Sequence, residues 1–459
     1  MSVNGLNKQL LFKNARLIDG VSEQPLNGVS ILLEGERITQ VVQGDIAVPE
    51  GVEIIDLSGK TVMPGLIDTH VHTVMMDSEC LPLFLAAGVT TARDVGGRLD
   101  LVLKNRDDLN SGKRLGPRLF VCGPLLDGPG ASFENPSFTI MLDAVQSVEE
   151  VPSKIGDLLS AGVDGIKCYF TMTPDIVRAV IDYVDKRVPV TGHLGYCSSM
   201  EAIEAGIDGL EHVWISPYND ICALNMRFGK DASMLDASFW SDTMAGWEQA
   251  DLQGDRARKW IDAMVEKQVH MGTTLDLLWT AKAGLEASLK DPDRRLITPE
   301  GLKRQGKMKK FLGDRPDWDI HPGFYDTGAG SLALEKQQQI TRMLHECGGR
   351  VVGGTDCGAL SYPPPGFALL REIELLAEAI GNMAALRAVT SVAAHYLRAD
   401  EDIGVIAPGR YADFLVLRGD PLKDVKDLRT LETTYRGGIA YNPQQLIADA
   451  PQHEPDGLD

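Results

Sequence analysis

The feature that most constrains the fold is an alternation of short β-rich runs with helical stretches across residues 61–400. Amphipathic stretches such as 173–187 and 335–349 have the periodicity of helices. The β-rich runs cover residues 65–72, 88–96, 117–125, 165–170, 189–195, 209–215, 270–278 and 350–358. Eight such units predict an α/β protein with a (β/α)8 TIM barrel, whose active site lies at the carboxyl ends of the strands. A doubly wound open sheet is the alternative.

Both ends of the chain consist of short strand-like segments. Residues 1–60 and 401–459 are each too small to bury a core alone. We therefore expect them to combine into one small β-sandwich domain beside a barrel domain of residues 61–400. A barrel needs only about 250 residues, which predicts insertions. We place them near 214–260 and 280–330, as long loops at the mouth of the active site.

Charge and cysteine content exclude several functional classes. Lys and Arg number 45 and Asp and Glu number 65 among 459 residues, which gives a formal net charge of −20. So acidic a chain is repelled by nucleic acid and by anionic membranes, which argues against both as partners. The expected partner is a small-molecule substrate. The seven cysteines form no CxxC pair, as expected of reduced thiols. Because no apolar signal segment or membrane span is visible, we expect a cytoplasmic location.

The segment Val62–Thr73, "VMPGLIDTHVHT", places two histidines at a spacing of two where a β-rich run ends. Residues i and i+2 of a strand share a face, so His70 and His72 can bind one metal ion. Further groups able to bind metal or protons lie in or at the end of the fourth, fifth, sixth and eighth runs: Lys167, His193, His212 and Asp356. This convergence predicts a metal centre at one end of the barrel.

The motifs "PGLIDTHVH", "AGVTTARDVGG", "GIKCY", "GGTD" and "IGVIAPGRYADFLVL", with the two later histidines, resemble the metal-dependent amidohydrolase superfamily in order and spacing. Within it the chain is most similar to imidazolonepropionase-like proteins and Xaa-Pro or Xaa-Arg dipeptidases. The resemblance implies that the ligands of a two-metal centre are His70, His72, Lys167, His193, His212 and Asp356. It also implies that Lys167 is carbamylated by carbon dioxide and bridges the ions. In the alternative, Lys167 pairs with a nearby carboxylate.

These assignments predict a hydrolase that cleaves an amide-type C–N bond in an N-acyl amino acid, a dipeptide, a carbamate or a urea-like molecule. Asp356 is the expected proton shuttle, and His212 is a second catalytic candidate that would hold the oxyanion. Two divalent ions are expected, with zinc first and manganese, cobalt or iron as alternatives.

Other features concern specificity and assembly. Tyr169 and Tyr218 are candidate substrate contacts, and a homo-oligomer is expected. The segment 122–138, "CGPLLDGPGASFENPSF", lacks the histidine that dipeptidases of this kind carry there, which weakens a dipeptidase assignment. The alternatives are a one-metal hydrolase or deaminase with unmodified Lys167, and an inactive scaffold protein.

Overall fold

The computed structural model describes residues 9–130, 141–222, 237–279, 291–296, 327–358 and 364–451. All eight predicted β-rich runs contain a strand. These strands, called barrel strands one to eight, are Leu66–Val71, Val89–Asp94, Arg118–Val121, Ile166–Cys168, Val190–Gly192, Gly209–Glu211, His270–Gly272 and Arg350–Val352. Each pairs in parallel with its neighbours, apart from the third and fourth and the first and eighth.

Hydrogen bonds outside the regular ladders close these strands into a ring. Between strands three and four, the amide of Asp164 donates to the carbonyl of Val121 at 2.7 Å. Between strands eight and one, the amide of His72 donates to the carbonyl of Cys357 at 2.9 Å. Two short parallel strands, Leu125–Asp127 and Leu142–Ala144, extend the sheet beside strand four. The predicted barrel is therefore confirmed, and the open sheet is wrong.

Helices follow most barrel strands and cover the ring. Pro174–Val184 illustrates why they form: its buried residues Ile176, Val177, Val180, Ile181 and Val184 recur at helical spacing on one face. The longer helices of the described residues are Leu99–Asn110, Val151–Ser160, Pro174–Val184, Ala237–Glu248, Asp255–Glu266, Thr327–Glu346 and Phe367–Ile380. Shorter ones are Pro82–Ala86, Ser199–Ala205, Tyr218–Ile221, Asn382–Ala388, Ser391–Tyr396 and Pro443–Asp449.

The expectation of a long loop near residues 214–260 is wrong for the part of it that the structure describes. Residues 218–221, 237–248 and 255–260 are helical. Phe239, Met244 and Trp247 are buried in the main hydrophobic core. A helix satisfies its own backbone hydrogen bonds, so this segment can be buried where a loop could not. In the second predicted insertion, residues 291–296 include a short 3₁₀ helix at Pro292–Leu296, whereas residues 280–290 and 297–326 lie outside the described residues.

The two chain ends form one mostly antiparallel sheet of eight strands. These are Gln9–Leu17, Leu26–Glu34, Arg37–Gln43, Glu53–Asp56, Thr61–Pro64, Phe414–Leu417, Leu431–Arg436 and Ile439–Tyr441. The sheet has its own core, in which the ring of Phe12 meets Phe414 and Tyr435 edge to face at centroid distances of 5.3 and 5.1 Å. The predicted combination of the two chain ends into one β unit is confirmed.

A stack of three side chains joins this sheet to the barrel. The guanidinium groups of Arg37 and Arg118 lie 3.6 and 3.8 Å from the ring centroid of Tyr411. Arg37 belongs to the sheet and Arg118 begins barrel strand three. No helix in the described part of the chain combines the length and apolar character needed to cross a bilayer.

Candidate metal centre

Three predicted ligands come together at the carboxyl end of the barrel. Ligand atoms of His70, His212 and Asp356 all lie within 4.8 Å of one another. His70 is in strand one, His212 follows strand six directly, and Asp356 lies four residues after strand eight. Side chains distant in sequence therefore converge because parallel strands end at the same rim.

The other three predicted ligands surround this cluster. His72 Nε2 lies 3.1 Å from Asp356 Oδ1, and His70 Nε2 lies 3.5 Å from the same oxygen. The His193 ring centroid is 4.6 Å from that of His212. Lys167 Nζ is 4.0 Å from Oε1 of Glu211, a carboxylate that also contacts His70. The structure thus brings all six predicted residues into one buried site.

An unusual backbone conformation orients two of these side chains. His212 and Asp356 have φ angles of 61° and 56°, in the left-handed region that few residues other than glycine adopt. Such conformations cost free energy and cluster at functional sites. A left-handed turn directly after strand six breaks the usual alternation of faces, which lets Glu211 and His212 both reach the interior.

In three of the histidines, the Nδ1 atom has a hydrogen-bond partner in the protein. His70 Nδ1 donates to Glu211 Oε2 at 2.9 Å, and His72 Nδ1 donates to the carbonyl of Gly96 at 2.9 Å. His212 Nδ1 is 2.8 Å from Thr274 Oγ1. A partner on one ring nitrogen fixes the tautomer and leaves the other nitrogen available to a metal ion.

Two buried polar atoms provide a test of whether the residues fit metal ions. Lys167 Nζ and His193 Nε2 have no hydrogen-bond partner among the described residues. A buried polar atom without a partner costs about 1–3 kcal/mol, so such atoms call for a specific explanation. Four histidines, a carboxylate and a lysine that can be modified form a suitable donor set for borderline divalent metals. The residues fit the implied ions.

The protonation of these groups agrees with that fit. Burial lowers the pKa of His193 and of His212 well below the usual range, so both rings are neutral. Burial also lowers the pKa of Lys167 to about 8, although the nearby Glu211 opposes the shift. Burial alone would raise the pKa of Asp356, but the adjacent rings of His70 and His72 hold it well below its usual value.

The two tyrosines predicted to contact substrate differ in position. The Tyr169 ring centroid lies 4.8 Å from that of His193, so Tyr169 borders the cluster. The Tyr218 hydroxyl donates to the carbonyl of Asp242 at 3.2 Å in helix Ala237–Glu248. This gives Tyr218 a packing role, and its contact with substrate stays a prediction.

Two aspartates near the rim stabilise loops. Asp94 Oδ2 accepts hydrogen bonds from the amide and hydroxyl of Thr73, at 2.8 and 2.5 Å, and so holds the turn that follows His72. Asp127 accepts from the amides of Thr171 and Gly128, at 2.7 and 3.0 Å. Both are structural acceptors.

Three residues of the site were not identified from the sequence. Glu211 is fully buried and accepts hydrogen bonds from Arg93, from the Tyr396 hydroxyl at 2.8 Å and from His70. Arg93 and Tyr396 are buried as well. Glu211 directly precedes the predicted ligand His212 in "GLEHV". A carboxylate within a buried strand is rarely left unpaired. The glutamate in this apolar run was therefore the signal in the sequence that a buried partner was present.

Comparisons with known proteins place this chain in a family. The amidohydrolase family model matches residues 61–440. A dihydroorotase from Pediococcus pentosaceus is 44% identical over 64 residues, which are 14% of this chain and 14% of that relative. The chain therefore matches only a small part of the length of this curated relative.

Solved structures match over nearly the full length. A Xaa-Pro dipeptidase with bound methionine has a TM-score of 0.67 and 21% identity, covering 95% of this chain and 100% of that chain. The bottromycin amidohydrolase has a TM-score of 0.72 and 20% identity, covering 98% and 92%. At such identities the likeness shows the fold, a TIM barrel with a β unit. Since the family model matches residues 61–440, which is well over half of the chain, the chain belongs to the amidohydrolase family.

Proposed function

We propose that this protein is a metal-dependent hydrolase that cleaves an amide-type C–N bond in a small molecule. The observation that carries the proposal is the convergence of four histidines, Asp356 and Lys167 in one buried site. Two divalent ions are proposed, zinc first and manganese, cobalt or iron as alternatives. The proposed ligands are His70, His72, Lys167, His193, His212 and Asp356.

The ions would lower the pKa of a water molecule and polarise the scissile carbonyl. Asp356 is suited to move the proton because it is ionised and lies beside two histidines. It accepts a proton from the attacking water and delivers it to the leaving nitrogen, so that water and the amide yield an acid and an amine. His212, whose Nδ1 is paired with Thr274 and whose other ring nitrogen is assigned to an ion, is proposed to assist at the developing oxyanion through the ion that it would hold.

Lys167 is proposed to carry a carbamate. Its ammonium would lose one proton, and the resulting amine would add to carbon dioxide and lose a second, which converts a cation into an anion able to bind metal. The alternative ion pair has a carboxylate in reach, Glu211 at 4.0 Å. However, Glu211 already accepts hydrogen bonds from Arg93, Tyr396 and His70 and makes none with Lys167. The carbamate gives the buried amine a role that this ion pair does not.

The proposed substrate class includes four kinds of small molecule. The fold likeness to a Xaa-Pro dipeptidase and to the bottromycin amidohydrolase favours amide bonds. Candidate substrates are N-acyl amino acids, dipeptides, carbamates and urea-like molecules. A homo-oligomer is also proposed, and this proposal rests only on the tendency of such barrels to associate with copies of themselves.

The test combines metal analysis with a hydrolysis screen. Protein produced with bicarbonate in the medium is analysed for metal per chain and incubated with pooled candidate substrates, and amine release is measured. An Asp356→Asn variant is compared with Asp262→Asn, whose side chain is exposed on helix Asp255–Glu266.

About two metals per chain with amine release that depends on Asp356 would support the proposal. One metal with turnover would favour the one-metal hydrolase or deaminase. Less than one metal and no turnover, after addition of metal and bicarbonate, would overturn the proposal in favour of an inactive scaffold.

A further inference from the structure

One buried carboxylate links the predicted metal site to groups outside it. Glu211 Oε2 accepts from His70 Nδ1 at 2.9 Å, while Oε1 accepts from Arg93 Nη2 and from the Tyr396 hydroxyl. Arg93 Nε in turn donates to the carbonyl of Thr69 at 2.7 Å, one residue before His70. Glu211 and Arg93 thus hold both the ring of His70 and the backbone beside it.

Neighbouring positions leave the space that this arrangement needs. A Cβ on Gly209 would lie 2.5 Å from the Tyr396 ring, and a Cβ on Gly272 would lie 2.8 Å from Glu211 Oε2. Any other residue at either position would push the tyrosine or the carboxylate away. The Arg93 guanidinium also lies 4.5 Å from the Tyr396 ring centroid, which fixes its plane.

The charges in this group balance. Glu211 is 0% exposed and Arg93 is 3% exposed, so water screens neither charge. A buried carboxylate is tolerable when a cation and several donors satisfy it. Here Arg93 provides the charge, and Tyr396 and His70 provide further donors.

We propose that Glu211, held by Arg93 and Tyr396, is a positioning residue for His70. By accepting the Nδ1 proton it keeps the His70 Nε2 atom bare and directed at Asp356, which lies 3.5 Å away. Loss of the carboxylate would allow the other tautomer and ring rotation, both of which remove a metal ligand. This inference rests on the proposed function, because it assigns His70 a metal.

Metal binding tests the inference directly. Protein freed of metal by a chelator is titrated with Co²⁺, and both the dissociation constant and the visible Co²⁺ absorption spectrum are recorded. Glu211→Gln keeps the shape of the side chain but removes its charge. It also replaces one acceptor oxygen with an amide NH2 group, which would face the donors that surround Glu211. We expect binding about 10–100-fold weaker, in the range found when such outer partners of metal ligands are lost, with an altered spectrum.

A second variant tests the inference even if Glu211→Gln misfolds. Tyr396→Phe removes one hydroxyl and leaves the ring in contact with Arg93, so we expect a smaller loss of affinity in the same direction. Matched controls are Glu204→Gln, exposed on helix Ser199–Ala205, and Tyr435→Phe in the core of the chain-end sheet. Both should bind Co²⁺ as the unaltered protein does.

The outcomes separate this inference from the proposed function. Unchanged affinity and spectrum in both network variants, while the unaltered protein binds Co²⁺, would overturn the positioning role alone. An unaltered protein that binds no Co²⁺ would overturn the proposed function and this inference together. If Glu211→Gln fails to fold, weaker binding by Tyr396→Phe still supports the role and normal binding overturns it.

Discussion

The Nζ atom of Lys167 lies 4.0 Å from Oε1 of Glu211, a separation at which the two groups attract each other without sharing a hydrogen bond. Both side chains are almost completely buried. The amine is therefore near a carboxylate yet unsatisfied, and this defines the first prediction.

Lys167→Ala should lose most of its bound metal and its activity, because the proposed bridging carbamate cannot form. Acetate or propionate should restore part of both, since a small carboxylate can occupy the space of the missing side chain. Elemental analysis and amine release measure the two effects. Lys259→Ala, exposed on helix Asp255–Glu266, is the control. Full metal content in Lys167→Ala without any carboxylate would contradict the prediction.

Asp356→Asn should reduce kcat by about 10²–10⁴-fold, the usual contribution of a general acid–base group. KM should change little, because the amide keeps the size of the side chain. Metal content must be measured in the same samples, since Asp356 lies beside both His70 and His72. Turnover within a few-fold of the unaltered enzyme would remove the proton-transfer role.

Glu372 should make stability depend on pH. Burial raises the pKa of Glu372 to about 8, with the nearby Asp276 adding to the shift and hydrogen bonds from Thr273 and the Asp276 amide opposing it. The protonated folded form is then favoured, so this contribution is complete below the usual pKa of glutamate and is lost as pH rises through about 8.

The test is Tm against pH for the unaltered protein and Glu372→Gln. The unaltered protein should lose Tm relative to the variant between about pH 5 and pH 8. Asp276, whose pKa burial raises to about 6, and Arg371, 3.3 Å from it, remain in both proteins. Because Asp276 also raises the pKa of Glu372, the difference reports the titration of this interacting pair. A difference that stays constant across this range would show that Glu372 does not titrate as expected.

Phe12→Ala should destabilise the chain-end sheet by about 3–5 kcal/mol, as for other large buried aromatic residues. The ring contacts Phe414 and Tyr435, so its loss should expose strands from the opposite end of the chain. Limited proteolysis should then cut within Leu431–Arg436 at protease concentrations that leave the unaltered protein intact. Ile439→Ala, at a position that is 54% exposed, should leave the pattern unchanged.

The sequence predicted much of the barrel and of the cluster because both follow simple periodicities. His70 and His72 share a face of one strand, and the other proposed ligands lie in or after later strands. The helical character of residues 237–248 was missed because the burial of Trp247 depends on distant packing.

The role of Glu211 was hidden for a different reason. Adjacent residues of a strand point to opposite faces, so Glu211 and His212 were not expected to share a site. The left-handed conformation of His212, with φ of 61°, cancels that rule, and sequence does not reveal such a conformation at a residue other than glycine. Tyr396 lies in helix Ser391–Tyr396, and its hydrogen bond to Glu211 depends on how this helix packs against the barrel strands.

The chain-end sheet has a consequence for synthesis on the ribosome. Its strand Thr61–Pro64 pairs with Phe414–Leu417, which emerges only after every barrel strand has been made. While the barrel is synthesised, the N-terminal strands therefore lack a partner strand. The unpaired N–H and C=O groups at that edge can pair with other chains. Translation that stalls near residue 400 should leave nascent chains that require chaperones, even when their barrels are complete.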